Sequence, residues 1–213
     1  MPRHDPTEKT KTDILKTAVR MFSEKGWDDV NVEDVVKEVG VTRGAFYHYF
    51  KSREDLIYAV IVQMFYENNP FTAASEQQGL NALEKLRFAL KSSLTASLDS
   101  AKTKDLQKMY DNPAIFKSFI LSSVNISAPY IEQLLTEGNK DGSLSVAQPK
   151  QVAQVLTVLS NIWLDTDVFH VSYEEYTEKV LFLEKLCELM GMRLIDSELR
   201  ELLLKIYEVY QRN

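Results

Sequence analysis

The sequence predicts an all-α fold of about nine to ten helices, and three observations support this prediction. Long stretches are rich in Leu, Glu and Lys, whereas the 213 residues include only seven Gly and six Pro. Apolar residues recur at the roughly three-to-four-residue spacing of a helix that buries one face. With 45% hydrophobic residues, the chain can bury a sizeable core in one or two compact units.

The first helix is predicted from about Thr10 to Lys25, after a polar arm over residues 1–8. Gly26 follows its last turn, at the position where a left-handed residue ends many helices. Its inward face carries Ile14, Leu15, Ala18, Val19 and Phe22.

Residues 31–51 predict two short helices joined by a tight turn. Val32, Val35, Val36 and Val39 form one apolar stripe after Asn31, which is placed as an N-cap. Gly40 stands where a left-handed C-cap is needed, and Thr42 can cap a second helix from Arg43 to about Phe50. A helix, a short turn with Gly and another helix make a helix-turn-helix.

The second of these helices has two chemically different faces. Phe46, Tyr49 and Phe50 share the side expected to face the core. The opposite side carries Gly44, Tyr47, His48 and Lys51, with Arg43 at its flank. A Gly inside a short helix costs about 1 kcal/mol of helix stability relative to Ala, but it permits the close approach of another backbone. The polar side chains on this face can donate hydrogen bonds to phosphates or base edges. A solvated helix with no partner is the alternative.

The stretch GVTRGAFYHYFKSREDL, residues 40–56, resembles the DNA-binding signature of the TetR family of bacterial transcription regulators. The likeness extends back through Ile14 to Trp27 and covers roughly the first quarter of the chain. Val30, Val39 and Phe46 depart from the residues that the family commonly has there. Because Val30 removes a hydroxyl that could contact a phosphate, Asn31 becomes the expected contact.

The resemblance implies a domain organisation and a set of partners. Residues 1–52 would form a three-helix DNA-binding domain, and residues 53–213 a larger helical domain for effector binding and dimerisation. The expected function is a repressor that binds a near-palindromic DNA operator as a homodimer and is released by a small-molecule effector. The expected DNA-binding residues are Asn31, Thr42, Arg43, Gly44, Tyr47, His48 and Lys51, with Arg43 reading bases.

The net charge of −6 is unevenly distributed along the chain. Residues 1–53 hold ten Lys/Arg and nine Asp/Glu, whereas residues 54–213 hold fifteen and twenty-two. The N-terminal part is therefore nearly neutral and the remainder acidic, which suits a DNA-binding domain on an acidic body. In so weakly charged a domain, the placement of individual cations matters more than overall attraction.

The middle of the chain predicts further helices. Ser52 to Asp55 resembles a capping box that opens a helix from Arg53 to about Tyr66, which is too apolar for one stripe and is expected to be buried. Residues 68–79 are polar and rich in turn residues, so they are the predicted linker. Helices are then predicted over residues 80–97, 104–110 and 113–124, and from Ser127 and Pro129 to a Gly-rich end at 138–142.

The last third predicts a dimer interface. The helices Lys150–Asp165 and Tyr173–Met190 are apolar over more than one stripe, so each needs two burial partners. The family resemblance implies that they pair with the same helices of a second subunit; a larger monomeric core is the alternative. A last amphipathic helix, from Asp196 to about Gln211, could cover either the interface edge or the body.

Effector-binding residues are harder to predict because each also suits a core or an interface. The expected ones are large or polar side chains among apolar ones: Met109, Tyr110, Phe116, Phe119, Asn125, Trp163 and His170. Two other possibilities stay open, namely a small-molecule or enzymatic module with an inoperative DNA-binding domain, and a protein adaptor using the Tyr47/His48 face.

Composition argues against several other classes. The longest apolar runs, such as residues 58–66, are shorter than the roughly 18 residues that span a bilayer. No N-terminal segment resembles a signal peptide, so we expect a cytoplasmic protein with no membrane partner. His4, His48 and His170 are too far apart for a metal site, and we expect no cofactor. Without a nucleophile–base pair or a phosphate-binding Gly loop, we expect no enzyme. The single Cys187 is expected to be a buried apolar residue.

Overall fold

The computed structural model describes residues 6–100 and 112–210, and every regular element in these stretches is helical. The prediction of an all-α fold is confirmed. The predicted helix over residues 104–110 lies outside the described residues. The α-helices are α1 (Pro6–Lys25), α2 (Val32–Val39), α3 (Arg43–Tyr49), α4 (Arg53–Glu67), α5 (Pro70–Ser75), α6 (Ala82–Ser100), α7 (Pro113–Ser122), α8 (Ala128–Asp141), α9 (Pro149–Val158), α10 (Tyr173–Leu189) and α11 (Ser197–Tyr210), with π-helical turns π1 (Ser123–Ser127) and π2 (Leu159–Trp163).

The described residues form two compact units. The first contains residues 6–68 and 112–122, which are α1 to α4 together with α7. The second contains residues 69–100 and 123–210. Helix α4 packs against α1 and against α7, so the first unit extends beyond the three helices of residues 1–52.

Arg53 fixes the loop between α1 and α2 in the first unit. Its Nε donates to the Val30 carbonyl at 3.0 Å, and its Nη2 donates to the carbonyl of Trp27. The guanidinium also lies 6.0 Å from the centre of the Phe22 ring, on which Trp27 stacks. One part-buried cation therefore ties the start of α4 to the loop that precedes the helix-turn-helix.

The predicted linker over residues 68–79 is wrong in its first half, because this stretch contains α5. The Asn69 side chain accepts from the backbone N–H of Phe71 at 2.9 Å, and Pro70 occupies the first turn, where its missing N–H costs nothing. Phe71 is buried and stacks on Tyr130 within the second unit. The polar composition of residues 68–79 therefore gave no indication that Phe71 anchors a helix there. Helix α1 also starts earlier than predicted, at Pro6.

The predicted break before Pro129 is also wrong, since residues 113–141 are helical throughout. Pro129 lacks the N–H that would bond four residues back, and the helix widens into π1 just before it. A similar wide turn, π2, continues α9. By length and composition the segment Pro113–Asp141 meets a test for a membrane span, which core helices of soluble proteins also meet.

The core of the second unit is formed by one face of each long helix. On α10 the buried residues are Tyr176, Val180, Leu183 and Cys187, at the spacing of a single helical stripe. Burial raises the pKa of the Cys187 thiol to about 12, so this thiol is a buried apolar residue as expected. The Tyr176 hydroxyl donates to the Leu203 carbonyl at 3.2 Å and joins α10 to α11.

Candidate nucleic-acid interface

Helix α2 begins at the predicted N-cap. The Asn31 side-chain oxygen accepts from the Asp34 N–H at 2.9 Å, and the Asp34 carboxylate accepts from the Asn31 N–H at 3.4 Å. This reciprocal capping box was not foreseen, although Asn31 itself was. Asn31 uses its amide oxygen within the chain, so its NH2 group is the part that a phosphate could engage.

The turn between α2 and α3 follows the predicted chemistry. Gly40 has φ 76°, in the left-handed region, and its N–H donates to the Val36 carbonyl at 3.0 Å. The Thr42 hydroxyl then accepts from the Ala45 N–H at 3.1 Å and caps α3. These local bonds set the start of α3 directly after the end of α2.

The structure separates the two faces of α3 as the helical spacing predicted. Phe46 and Phe50 are buried, with rings 5.6 Å apart, and Tyr49 is half-buried. The exposed residues are Asn31, Thr42, Arg43, Gly44, Tyr47, His48 and Lys51, so all seven expected DNA-binding residues are accessible. Their exposure permits contact with DNA.

Gly44 is not required by the packing of this chain. A Cβ built there would meet only the Thr42 hydroxyl, at the ordinary contact distance of 3.8 Å. The glycine therefore costs helix stability without relieving an internal clash. Close approach of an external partner explains it better than packing does.

Arg43 forms an ion pair with Glu33 within the first unit. Its Nη2 lies 2.8 Å from the Glu33 carboxylate, and both side chains are exposed. The nearby Tyr47 hydroxyl and the charge of Glu33 raise the pKa of Arg43. Sequence reasoning missed Glu33; the available signal was a carboxylate in the first turn of the helix preceding Arg43.

Two other positions gain a physical explanation. Val30 is only 1% exposed, so its methyl groups belong to the core, which accounts for an apolar residue there. The backbone N–H of Lys51 donates to the Asp55 carboxylate at 2.9 Å, while its side chain is exposed. The Ser52 hydroxyl accepts from the Asp55 N–H and caps α4 as predicted. The Asp55 carboxylate, however, accepts from the N–H of Lys51 and not from that of Ser52, which a capping box would require.

The five expected effector residues that the structure describes are divided between the two units. Phe116 and Phe119 lie on α7 in the first unit, whereas the other described ones, Asn125, Trp163 and His170, lie in the second. Met109 and Tyr110 lie outside the described residues.

Two of the expected effector residues in the second unit belong to wide helical turns that contact each other. Asn125 is in π1 and Trp163 in π2, and the Asn161 amide of π2 donates to the Ser123 hydroxyl of π1 at 3.3 Å. The Trp163 ring lies 5.2 Å from the Lys179 amine, which donates to the Trp163 carbonyl. His170 is exposed, with Nδ1 3.1 Å from the Thr166 carbonyl.

A separate cleft of about 540 Å³ lies in the second unit. Its walls combine apolar and charged side chains, and they include none of the five expected effector residues that the structure describes. The cleft lining includes Leu83, Leu144, Lys185, Leu189, Met192 and Arg193.

Among residues 6–100 and 112–210, no group of three or more His, Cys, Asp or Glu side chains could hold a metal ion.

Two protein-family models match this chain. The model for bacterial regulatory proteins of the tetR family matches residues 14–60, which hold the helix-turn-helix. The model for the tetracyclin repressor-like C-terminal domain matches residues 97–186. Together they cover more than half of the chain. The chain belongs to the TetR family.

Curated relatives carry the same assignment over shorter alignments. The chain is 30% identical over 122 residues to the HTH-type transcriptional regulator YuxN of Bacillus subtilis, which is 57% of this chain and 36% of that protein. It is 41% identical over 49 residues to the HTH-type regulator AcrR of Shigella flexneri, 23% of each chain. The alignments thus span about a third or less of the relatives' own length.

Solved structures share the TetR fold along nearly the whole chain. A TetR-family regulator from Pectobacterium atrosepticum superposes with a TM-score of 0.60 at 24% identity, over 87% of this chain and 95% of that one. RolR in complex with resorcinol gives a TM-score of 0.61 at 18% identity, over 92% and 94%. At these identities the likeness concerns the fold alone.

Proposed function

We propose that this TetR-family protein is a sequence-specific DNA-binding transcription regulator, a repressor released from its operator by a small-molecule effector. The observation that carries the proposal is the exposed face of α3, which combines cations and hydrogen-bond donors with a glycine that internal packing does not need. Residues 1–52 supply DNA binding in this proposal, and residues 53–213 supply effector binding and dimerisation.

The residues of this face have different roles in the proposal. Arg43 reads a base, because a guanidinium can donate two parallel hydrogen bonds to guanine O6 and N7. Thr42, Tyr47, His48 and Lys51 position the helix on phosphates, which fix register without reading sequence. The Asn31 amide contributes a further phosphate contact, and Gly44 lets the helix approach closely.

Dimerisation is supported by an apolar surface on the second unit. Leu181, Phe182 and Leu189 of α10 are 48%, 58% and 76% exposed, although the opposite side of the same helix is fully buried. Exposed apolar patches of this kind mark interaction sites. We therefore propose a homodimer through the helices over Lys150–Asp165 and Tyr173–Met190.

A two-fold dimer determines the form of the operator. Two copies of α3 would enter successive major grooves, with half-sites about 34–36 Å apart or slightly more. Because the two copies are related by a two-fold axis, the operator should be nearly palindromic.

Effector binding is the least localised part of the proposal. Wide π turns often occur at functional sites, and π1 and π2 bring Asn125, Asn161 and Trp163 into one region of the second unit. The RolR structure contains the small aromatic ligand resorcinol, which supports a small-molecule effector for this chain too. Such an effector changes DNA affinity only as far as it prefers one conformation of the protein over another.

The proposal assigns the chain no enzymatic activity and no cofactor or metal. It places the protein in the cytoplasm, where its DNA partner is, with no membrane partner. The regulatory names of its relatives support this assignment.

Selection of bound duplexes from a random DNA pool tests the proposal. The expected result is a near-palindromic sequence whose binding weakens steeply as salt rises, since phosphate contacts release counterions. Repeating the selection with candidate effectors should identify a compound that reduces binding. Failure to enrich any sequence, with salt-independent retention, would contradict the proposal and favour an adaptor or a metabolite-binding module.

A further inference from the structure

A carboxylate lies on the surface that α3 offers to DNA. Glu33 Oε1 is 2.8 Å from Arg43 Nη2, and the two side chains are 55% and 63% exposed. Phosphate contacts supply most non-specific affinity, so a carboxylate beside the main cation works against simple attraction to DNA. The pair therefore needs an explanation other than bulk charge.

Local structure sets both ends of this pair. Glu33 lies in the first turn of α2, between Asn31 and Asp34, whose capping box fixes the start of that helix. Arg43 is the first residue of α3, after the Gly40 turn and the Thr42 cap. Tyr47 follows one helical turn further along the same exposed face. Glu33 thus orients the guanidinium before any DNA arrives.

We propose that Glu33 is a specificity-determining residue that directs the Arg43 guanidinium to a guanine edge and away from phosphates. The inference rests on the proposed DNA-binding function. An arginine has five N–H donors in a rigid fork, so one donated to Glu33 leaves others for guanine O6 and N7. The nearby negative charge repels a phosphate but not a neutral base edge, so it disfavours non-specific contact more than specific contact.

A purely structural role would make a different prediction. An exposed ion pair that only joins α2 to α3 contributes little to stability, and its loss would affect every base of the operator equally. A specificity role instead concerns the single base pair that Arg43 reads. The position-by-position sequence preference therefore separates the two explanations.

The test compares Glu33→Gln with the wild type as full-length chains. Affinities are measured for the duplex selected from the random pool and for a shuffled duplex of equal length, at several salt concentrations. From the usual size of exposed charge pairs, non-specific affinity should rise about two- to fivefold. Affinity for the selected duplex should not rise in proportion. The ratio of the affinity for the selected duplex to that for the shuffled duplex therefore falls. Preference should relax at one base pair per half-site and persist at the others.

Glu38→Gln is the matched control. Glu38 is also on α2, is 52% exposed, and pairs with Arg20 of α1 at 2.6 Å, so the variant removes the same charge from the same helix. It should leave the base preference unchanged. Adding Glu33→Gln to an Arg43→Ala background should also have no further effect on the affinity ratio, because the residue that it directs is gone.

Each outcome decides the question. An unchanged ratio and preference in Glu33→Gln overturns the inference while leaving DNA binding intact. The inference is also overturned if Glu38→Gln lowers the affinity ratio as much as Glu33→Gln does. It is overturned as well if Glu33→Gln still lowers the ratio in the Arg43→Ala background. Either result assigns the effect to bulk charge. If the wild type shows no salt-sensitive, sequence-dependent binding, the proposed function fails and the inference with it.

Discussion

The exposed faces of α3 and α10 differ in chemistry far more than in accessibility. Tyr47 on α3 is 45% exposed, and Leu181 on α10 is 48% exposed. The accessible side of α3 carries donors and cations around a glycine, whereas that of α10 carries large apolar side chains. Each helix also buries its other side. The two proposed partners, DNA for α3 and a second copy of the chain for α10, therefore follow from the chemistry of the exposed side chains and not from the extent of exposure.

The largest expected effect comes from the apolar face. Phe182→Ala should weaken the dimer by about 2–4 kcal/mol, the usual loss for a central aromatic anchor. Sedimentation or mass photometry over a dilution series would measure the dimer dissociation constant. Tyr47→Ala is the matched control, because it removes a comparably exposed aromatic from α3 and should leave that constant unchanged. Equal dimerisation of wild type and Phe182→Ala would show that α10 is not the interface.

The next effect concerns the polar face. Arg43→Ala should lose about 1–3 kcal/mol of affinity for the selected operator and relax preference at one position. Fluorescence anisotropy with the selected duplex and single-base variants would measure both. Arg20→Ala removes an equally charged residue that pairs with Glu24 and Glu38, and it should leave base preference intact. Retained affinity and preference in Arg43→Ala would refute its assignment as the base reader.

A smaller effect distinguishes a residue that contacts phosphates from the residue that reads a base on the exposed face of α3. Lys51→Ala should weaken binding to all sequences alike and reduce the salt slope by about 0.9, the value for one phosphate contact. Affinity measured against salt concentration for selected and shuffled duplexes provides the test. An unchanged slope would remove Lys51 from the phosphate contacts.

The smallest effect is expected outside both faces. The Asp141 carboxylate accepts from the N–H groups of Ala82 and Ser143 at 2.9 and 2.8 Å. Hydrogen bonds from the Ser143 side chain, and then from these two N–H groups, lower the pKa of Asp141. Its contribution to stability is therefore present above the ordinary Asp pKa of about 3.9 and is lost as pH falls through the lowered folded value.

Thermal melting of wild type and Asp141→Asn measures this contribution. The variant should melt at a lower temperature at neutral pH. The difference should begin to shrink below about pH 4, where Asp141 of the unfolded chain binds a proton, and should disappear once the folded carboxyl is protonated too. DNA binding and dimerisation should not change. A difference that grows on acidification would have the wrong sign for a lowered pKa.

The sequence predicted the α3 face well because the relevant information is local. Helical spacing separates Phe46 from Tyr47, and the Gly40 and Thr42 positions define the turn and the cap without reference to distant residues. The same local logic predicted the N-cap Asn31. The assignment of these residues to DNA contact remains a prediction that the experiments above test.

Features that depend on distant packing were predicted poorly. The Glu33–Arg43 pair depends on the angle between two helices, which spacing does not give. Helix α5 was missed because its one buried aromatic, Phe71, gains its stabilisation from Tyr130, far away in sequence. The π turn before Pro129 was read as a helix end, since sequence rules do not distinguish a widened turn from a break.

A hydroxyl-radical footprint of the wild-type protein on its selected duplex tests the central claim most directly. If α3 reads DNA and α10 pairs two copies, two protected half-sites related by a two-fold axis should appear about 34–36 Å apart or slightly more. Phe182→Ala at low protein concentration should lose both half-sites together. A single protected stretch without two-fold symmetry, or uniform protection along the duplex, would contradict the account.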